Sequence, residues 1–333
     1  MVKQVYWGID MSKDSLDVKI EKEGVEIAEF KVQNRLSKII MAFSFHMARL
    51  GLSWEDCVFC MESTGVYTSI LLRYLCQNSQ EVYVVNPFHL KRSMGLARGK
   101  SDKIDARRIA RFIAKNHHEL NRYEQPCEDM VALKALQTKR KQYIKQLRQI
   151  STSTLQQKQF GHKQTVALFL KAEKPLVKAI KSAIKQVDQE TTRIISSNAH
   201  LKAICKRISS VPGVGPVLSV ALLVATRGFT RLRDAKQLGC YAGVVPFEHS
   251  SGTSIRGRHR VSPMADKYLK TILHMAAMRV TRLEGELRNY YLRKVAQGKN
   301  KMLVLNAIRN KIVLRVCAVI KAQKNYSPSL VLS

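Results

Sequence analysis

The chain has 333 residues, with 57 Lys+Arg against 25 Asp+Glu and a formal net charge of +32. A hydrophobic fraction of 45% excludes a disordered tail, and the length allows two or three domains with cores of their own. Self-repulsion on this scale is relieved by a polyanion, so nucleic acid is the expected partner. A membrane is not expected, because no apolar run is long enough to span a bilayer.

The charge is unevenly spread. Residues 1–120 carry 18 bases and 14 acids, residues 121–200 carry 15 and 6, and residues 201–333 carry 24 and 5. Chemistry that needs carboxylates is therefore expected in the first third, and most of the grip on nucleic acid in the remainder. The seven cysteines are scattered, and Cys57 and Cys60 lie in an apolar run that suits a core rather than zinc. Reduced thiols and a first segment that reads as a strand rather than a secretory signal give a cytoplasmic, nucleoid-associated expectation.

Val5 to Asp10 is an apolar strand ending in an acid. Residues 15–20 and 25–32 alternate, with Glu23-Gly24 as the turn between them, so three strands form a meander. Leu36, Ile39, Ile40, Phe43, Met47 and Leu50 give helical spacing, stopped by Gly51. Cys57 to Met61 is a buried strand closed by Glu62. A helix over 66–76, a strand over 81–85 and helices over 88–96 and 102–117 follow. A meander followed by α/β units allows the first and fourth strands to lie side by side, with Asp10 and Glu62 emerging together at their ends.

Asp102 and Asp105 stand three apart at the start of a helical pattern and so share a face. Lys91, Arg92, Arg98, Lys100, Lys103, Arg107, Arg108 and Arg111 surround them. Taken alone, Asp102 also reads as an N-cap and Asp105 as a partner of Arg108. With Asp10 and Glu62 added, four carboxylates suit two hard cations flanking a phosphoryl group. A Gly-Ile-Asp start also opens phosphate loops of the actin and sugar-kinase type. Those loops need glycine soon after the acid, and Met11-Ser12-Lys13 argues against one here.

Residues 128–205 are poor in glycine and proline. Leu133, Leu136, Tyr143, Leu147 and Ile150 mark one long helix, and Leu176, Ile180, Ile184, Val187, Ile194 and Ile195 a second. Gly161 and Pro175 bracket the expected bend. The pair reads as a coiled-coil arm, used for dimerisation with a basic outer face or simply solvated. Val211-Pro-Gly213-Val-Gly215 resembles a helix-hairpin-helix turn whose glycines let backbone N–H groups approach a phosphate. A short helix over 231–240 precedes a polar loop, 249–260, in which hydroxyls, glycines, Arg256, Arg258 and Arg260 crowd together. By composition this loop contacts phosphate, since arginine holds phosphate oxygens bidentately. Residues 262–280 and 301–322 read as basic amphipathic helices, and Asn289 to Asn300 as a flexible connection.

Gly8-Ile-Asp10, Glu62-Ser-Thr-Gly-Val-Tyr67 and Lys100-Ser-Asp102-Lys-Ile-Asp105-Ala-Arg107 resemble the DEDD-type, RuvC-like domain of one insertion-sequence transposase family. Val211-Pro-Gly-Val-Gly215 and Ser251-Gly-Thr-Ser-Ile-Arg-Gly257 resemble that family's C-terminal serine domain. The family includes Piv-type DNA invertases and bridge-RNA-guided recombinases. The resemblance implies an α/β plus α chain: an RNase H-like catalytic domain (1–122), a coiled-coil arm (123–205), a mainly helical C-terminal domain (206–325) and a tail (326–333). It implies that Asp10, Glu62, Asp102 and Asp105 bind Mg²⁺, two ions with Mn²⁺ as a substitute. It further implies that Ser251 attacks a DNA phosphate to form a phosphoserine link, with the acidic and serine sites combined across protomers of a dimer or tetramer. Lys100, Lys103, Arg107, Gly213, Gly215, Arg256, Arg258 and Arg260 would hold double-stranded DNA, and an element-encoded noncoding RNA would select the site. Ser250 and Ser254 stand beside Ser251 as alternative nucleophiles. Ser262-Pro-Met-Ala265 departs from the family's Lys-x-Gly. Two rival readings remain at this point: a metal-only Holliday-junction endonuclease, and a non-catalytic nucleic-acid-binding protein.

Overall fold

The computed structural model describes residues 5–63, 65–93, 102–232, 234–251 and 255–328, with the side chains of 102, 103 and 248–260 outside that description. The chain divides into two compact units, 1–125 and 126–333.

The first unit is built on a five-stranded sheet of order β3-β2-β1-β4-β5. Strand β1 (Val5–Met11) pairs antiparallel with β2 (Ser15–Lys22), which pairs antiparallel with β3 (Val25–Gln33). On its other side β1 runs parallel to β4 (Cys57–Glu62), and β4 parallel to β5 (Glu81–Val85). A meander of three strands continued by two parallel ones, with helices on both faces, is the RNase H-like (RuvC-like) arrangement.

Period-two alternation sorts the strands onto two faces. Trp7, Ile9, Phe59 and Met61 face α1 (Leu36–Arg49) and α2 (Ser69–Gln77), where Trp7 is fully buried. Its ring lies 5.0 Å from Phe43 and 5.3 Å from Phe59. Each such ring contributes about 1.5–3 kcal/mol by leaving water. The opposite face carries Val58, Cys60, Tyr83 and Val85 against Leu90 of α3 (Pro87–Ser93) and Ile109, Phe112 and Ile113 of α4 (Asp102–Asn116). Cys57 and Cys60 are both fully buried, as a core role requires, and burial pushes the Cys60 thiol far up.

The second unit begins with α5 (Glu128–Phe160) and α6 (Lys163–Ser197), packed against each other. Arg140 Nε meets Asp188 Oδ1 at 2.7 Å, and Thr154 Oγ1 donates to Glu173 Oε2 at 2.6 Å. The bend falls at Gly161-His162 alone. Pro175 lies inside α6 instead of bracketing the turn; it is exposed, and its ring deprives one helix carbonyl of an N–H partner. Near the bend Leu155, Phe160 and Leu168 are exposed.

α7 (Ala199–Ser209) and α8 (Pro216–Thr226) flank the 210–215 turn, and α9 (Ala235–Tyr241) follows. The expected loop after it is a hairpin, β6 (Pro246–Ser251) and β7 (Ile255–Val261), in which Ser250 pairs with Arg256 and Ser251 with Ile255. The polar composition of 249–260 hid a ladder made from backbone groups. α10 (Lys267–Val280), α11 (Glu286–Ala296) and α12 (Lys301–Ala322) complete the unit. α11 corrects the expectation of a flexible connection at 289–300. Leu287 is buried and Tyr290, Tyr291 and Val295 pack on the same core, an i, i+3, i+4, i+8 stripe masked by the charged residues between.

Candidate active site

The pairing of β1 with β4 is the parallel register Gly8 with Cys60 and Ile9 with Met61. The next residue on each strand is an acid, Asp10 on β1 and Glu62 on β4. Adjacent strands lie about 4.8 Å apart, so the two carboxylates leave neighbouring positions. By alternation Asp10 shares the face of Tyr6 and Gly8, and Glu62 that of Val58 and Cys60, which is the face covered by α4. Both acids are half-buried.

Gly8 sets how closely α4 approaches. A Cβ there would stand 2.2 Å from the Ala106 carbonyl oxygen, 2.2 Å from the Ala110 nitrogen and 2.7 Å from the Ala110 Cβ. The helix backbone therefore rests directly on β1, with alanines at the contact. At the other end of the helix the His117 ring lies 5.4 Å from Tyr6, near the start of β1. α4 thus runs antiparallel to β1, and its first turn lies toward the end that carries Asp10. Asp102 opens that turn, while its carboxylate lies outside the described side chains. Asp105 is one turn before Ile109 on the same stripe, and its Oδ1 accepts from Arg108 at 2.9 Å. The ion-pair reading of Asp105 is therefore real, and it does not remove the residue from the site's edge. The partial positive charge of a helix N-terminus favours both acids there.

A second row of charge lies beside this one. Asp17 is the cross-strand partner of Asp10, and Lys31 that of Asp17, with Lys31 Nζ 3.0 Å from the Asp17 carboxylate. One register step away Lys19, only 2% exposed, pairs with both Glu26 and Glu29, and Arg107 Nε reaches Glu26 Oε2 at 2.8 Å. Lys19 holds the Glu26 carboxyl below its usual range, while burial raises that of Glu21. Sequence reasoning missed this ladder, although Asp17, Lys19 and Glu21 alternating with Leu16, Val18 and Ile20 announced a polar stripe on a buried strand.

The other expected residues are placed as follows. Arg107 is half-exposed and tied to Glu26. Lys100 lies outside the described residues, and Lys103 is in α4 with its side chain outside them. Gly213 has φ +87°, and a Cβ on it would meet Val280 Cγ2 at 2.2 Å, so packing against α10 already requires glycine. Gly215 is the N-cap of α8 and has open space around it, which leaves its backbone approachable. Ser251 ends β6; Arg256, Arg258 and Arg260 lie on β7, with their side chains outside the description. Ser254 lies outside the described residues.

Among the described side chains no three acids, imidazoles or thiols gather as a metal cage. Asp10, Glu62 and Asp105 are thus not drawn together into one cage, but each offers carboxylate oxygens, and Asp102 stands at the head of the helix that carries Asp105. Such donors fit a hard divalent cation and not a soft one.

A mixed sheet with two acids at the ends of adjacent parallel strands, covered by a helix whose first turn carries two more, defines a domain of RuvC-like fold with acids at its strand ends. The comparisons name the family. Residues 7–157 match the model DEDD_Tnp_IS110, described as a transposase, and residues 205–292 match the transposase family IS116/IS110/IS902. The chain carries the transposase domains of the IS110/IS116/IS902 family. It is 26% identical over 341 residues to the pilin gene-inverting protein of Moraxella bovis, covering 98% of each chain. The pilin gene-inverting protein of Moraxella lacunata is 26% identical over 271 residues, 80% of each. An uncharacterized 43.6 kDa protein of insertion element IS110 from Streptomyces coelicolor is 31% identical over 142 residues, 41% of this chain and 35% of that one. Among solved structures, RuvC of T. thermophilus in complex with a Holliday junction substrate matches with a TM-score of 0.29 and 13% identity, covering 36% of this chain and 98% of that one. No described helix is long and apolar enough to cross a membrane.

Proposed function

We propose that the chain is the recombinase of a bacterial insertion sequence, cutting and rejoining double-stranded DNA. The observation that carries this reading is the β1–β4 register, which brings Asp10 and Glu62 to adjacent strand ends under the helix headed by Asp102 and Asp105. These four residues would hold Mg²⁺, or Mn²⁺ in its place. The ion would polarise the scissile phosphate and stabilise the charge that develops there.

The protein's own nucleophile is Ser251. Its hydroxyl oxygen bonds to phosphorus, its proton is lost, and a deoxyribose oxygen leaves with the electron pair of the broken P–O bond and takes up a proton. The serine–DNA ester conserves the phosphodiester bond energy, so rejoining needs no ATP. Gly215, Lys100, Lys103, Arg256, Arg258 and Arg260 hold phosphates along the strand; Arg107 does so once it leaves Glu26. The working division is catalytic domain 1–122, arm 123–205, serine domain 206–325 and tail 326–333. A homo-oligomer in the cytoplasm supplies acids and serine to one phosphodiester, and a noncoding RNA chooses the site by base pairing, as in other guided systems.

A cellular excision assay tests this. The gene keeps its native flanking DNA, and PCR reads the circle junction for wild type, Asp10→Asn, Glu62→Gln and Ser251→Ala at matched protein levels. Junctions from wild type alone are expected. Junctions from Ser251→Ala would remove the serine step, and absence of an SDS-resistant protein–DNA adduct would favour the metal-only nuclease. Junctions from Asp10→Asn would remove the acidic site.

A further inference from the structure

Two arginines of α12 are buried: Arg315 at 3% exposure and Arg309 at 6%. Arg315 has its counter-charge, donating from Nη2 to Glu286 Oε2 at 2.5 Å and stacking 5.3 Å from the Tyr326 ring. Arg309 has none among the described side chains, and its Nε is buried with no acceptor among them.

Lys270 and His274 lie one turn apart on α10, which packs against α12; both are half-buried and both feel the Arg309 charge. His274 Nδ1 is likewise buried without a partner. Burial and the nearby Arg309 charge hold the Lys270 ammonium and the His274 imidazolium below their usual pKa ranges, and burial does the same to Arg309. Asp266, one turn before Lys270, is already engaged: it caps α10 at Leu269 N and accepts from Tyr241 at 3.3 Å. A Cβ on Gly243 would stand 3.7 Å from Lys270 Nζ, and Asn306 of α12 donates to the Val244 carbonyl at 2.8 Å. Lys270 therefore lies beside Gly243, and α12, which carries Arg309, is tied to Val244; residues 243–245 run straight into β6 and Ser251.

A guanidinium whose Nε is removed from water without an acceptor is costly, and the folded chain tolerates it where an anion completes the site. We propose that Arg309, His274 and Lys270 form a phosphate-binding site at the root of the serine hairpin. The guanidinium fork takes two phosphate oxygens, and the imidazole and ammonium donate from the α10 side. The phosphate belongs to a nucleic-acid backbone or is free in solution. The backbone source rests on the recombinase reading, whereas the site itself does not.

The test uses the full chain. Thermal unfolding is followed in chloride and in inorganic phosphate at equal ionic strength for wild type, Arg309→Met, Lys270→Ala, His274→Ala and Asp10→Asn. Phosphate is expected to raise the wild-type midpoint by about 2 °C or more. The same rise is expected in Asp10→Asn, a smaller one in Lys270→Ala and His274→Ala, and none in Arg309→Met. Arg309→Met loses no hydrogen bond and should unfold in chloride no earlier than wild type. Should that variant fail to fold, the two half-buried variants decide. No phosphate-specific rise in wild type, or an undiminished rise in the variants, overturns the proposal. Duplex DNA binding across a salt series separates the sources: a slope shallower by about one phosphate in Arg309→Met identifies the backbone. An unchanged slope with the thermal effect intact identifies free phosphate. Because Asp10→Asn keeps the thermal response, a failed recombinase reading leaves this result legible.

Discussion

Gly8→Ala is the sharpest perturbation the fold offers. The added methyl would stand 2.2 Å from two backbone atoms of α4, and ordinary contact begins at 3.4 Å, so the helix must retreat by about 1 Å. Overpacking of this kind typically costs about 1–3 kcal/mol, and backbone neighbours place this case at the upper end. For the first unit this corresponds to a midpoint lowered by roughly 5–10 °C. The same retreat carries Asp105, one residue before Ala106, away from the strand ends that bear Asp10 and Glu62. Misplacing a reacting group by 1 Å costs on the order of a hundredfold in rate. Thermal unfolding of the purified chain and circle-junction yield at a temperature where the variant is folded would measure both effects. A Gly8→Ala protein with the wild-type midpoint and wild-type junction yield would refute the claim that this contact sets the site.

Three further outcomes follow from particular contacts. Lys19→Met leaves Glu26 and Glu29 facing each other without their shared cation, and denaturant unfolding should show a loss of about 1–3 kcal/mol, discounted because both glutamates are partly solvated. Because Lys19 lowers the Glu26 carboxyl below its ordinary value of 4.5, that stabilisation is complete above this pH and is lost as pH falls through the lowered value. Unfolding midpoints between pH 5 and pH 2 should therefore fall less steeply in Lys19→Met than in wild type, the raised Glu21 contributing with the opposite sign in both. Gly213→Ala combines a left-handed backbone with a 2.2 Å clash against Val280, and a loss of about 2 kcal/mol or more is expected by calorimetry.

The meander, the parallel strands and the acids at their ends were legible because alternation and terminal polarity are local signals. Gly8 was read only as part of a Gly-Ile-Asp motif; what demands glycine there is α4, nearly a hundred residues away in sequence. Asp17 lay in plain view on an alternating strand, but its place opposite Asp10 is a matter of register, which the spacing of one strand does not contain. The hairpin bearing Ser251 was hidden because serine, glycine and arginine carry no strand propensity, and pairing there is between backbone groups. α11 was hidden by its charges, and its apolar stripe shows only once the core it packs on is known. The buried Arg309 was invisible for the same reason: an arginine in a basic helix reads as solvated until its neighbours are counted.

The hairpin of α5 and α6 also acts as a ruler. Its root is fixed, since Met130 and Leu133 lie in the core of the second unit and Ile194 and Ile195 pack against it. From Leu133 to the bend at Gly161 a straight helix extends about 40 Å. That is close to one turn of B-form duplex, about 34–36 Å. The exposed leucines and phenylalanine at the far end are held about that distance from the core. The Arg140–Asp188 and Thr154–Glu173 rungs tie the two helices together along that span, and Pro175 removes one rung from the hydrogen-bond ladder of α6 within it.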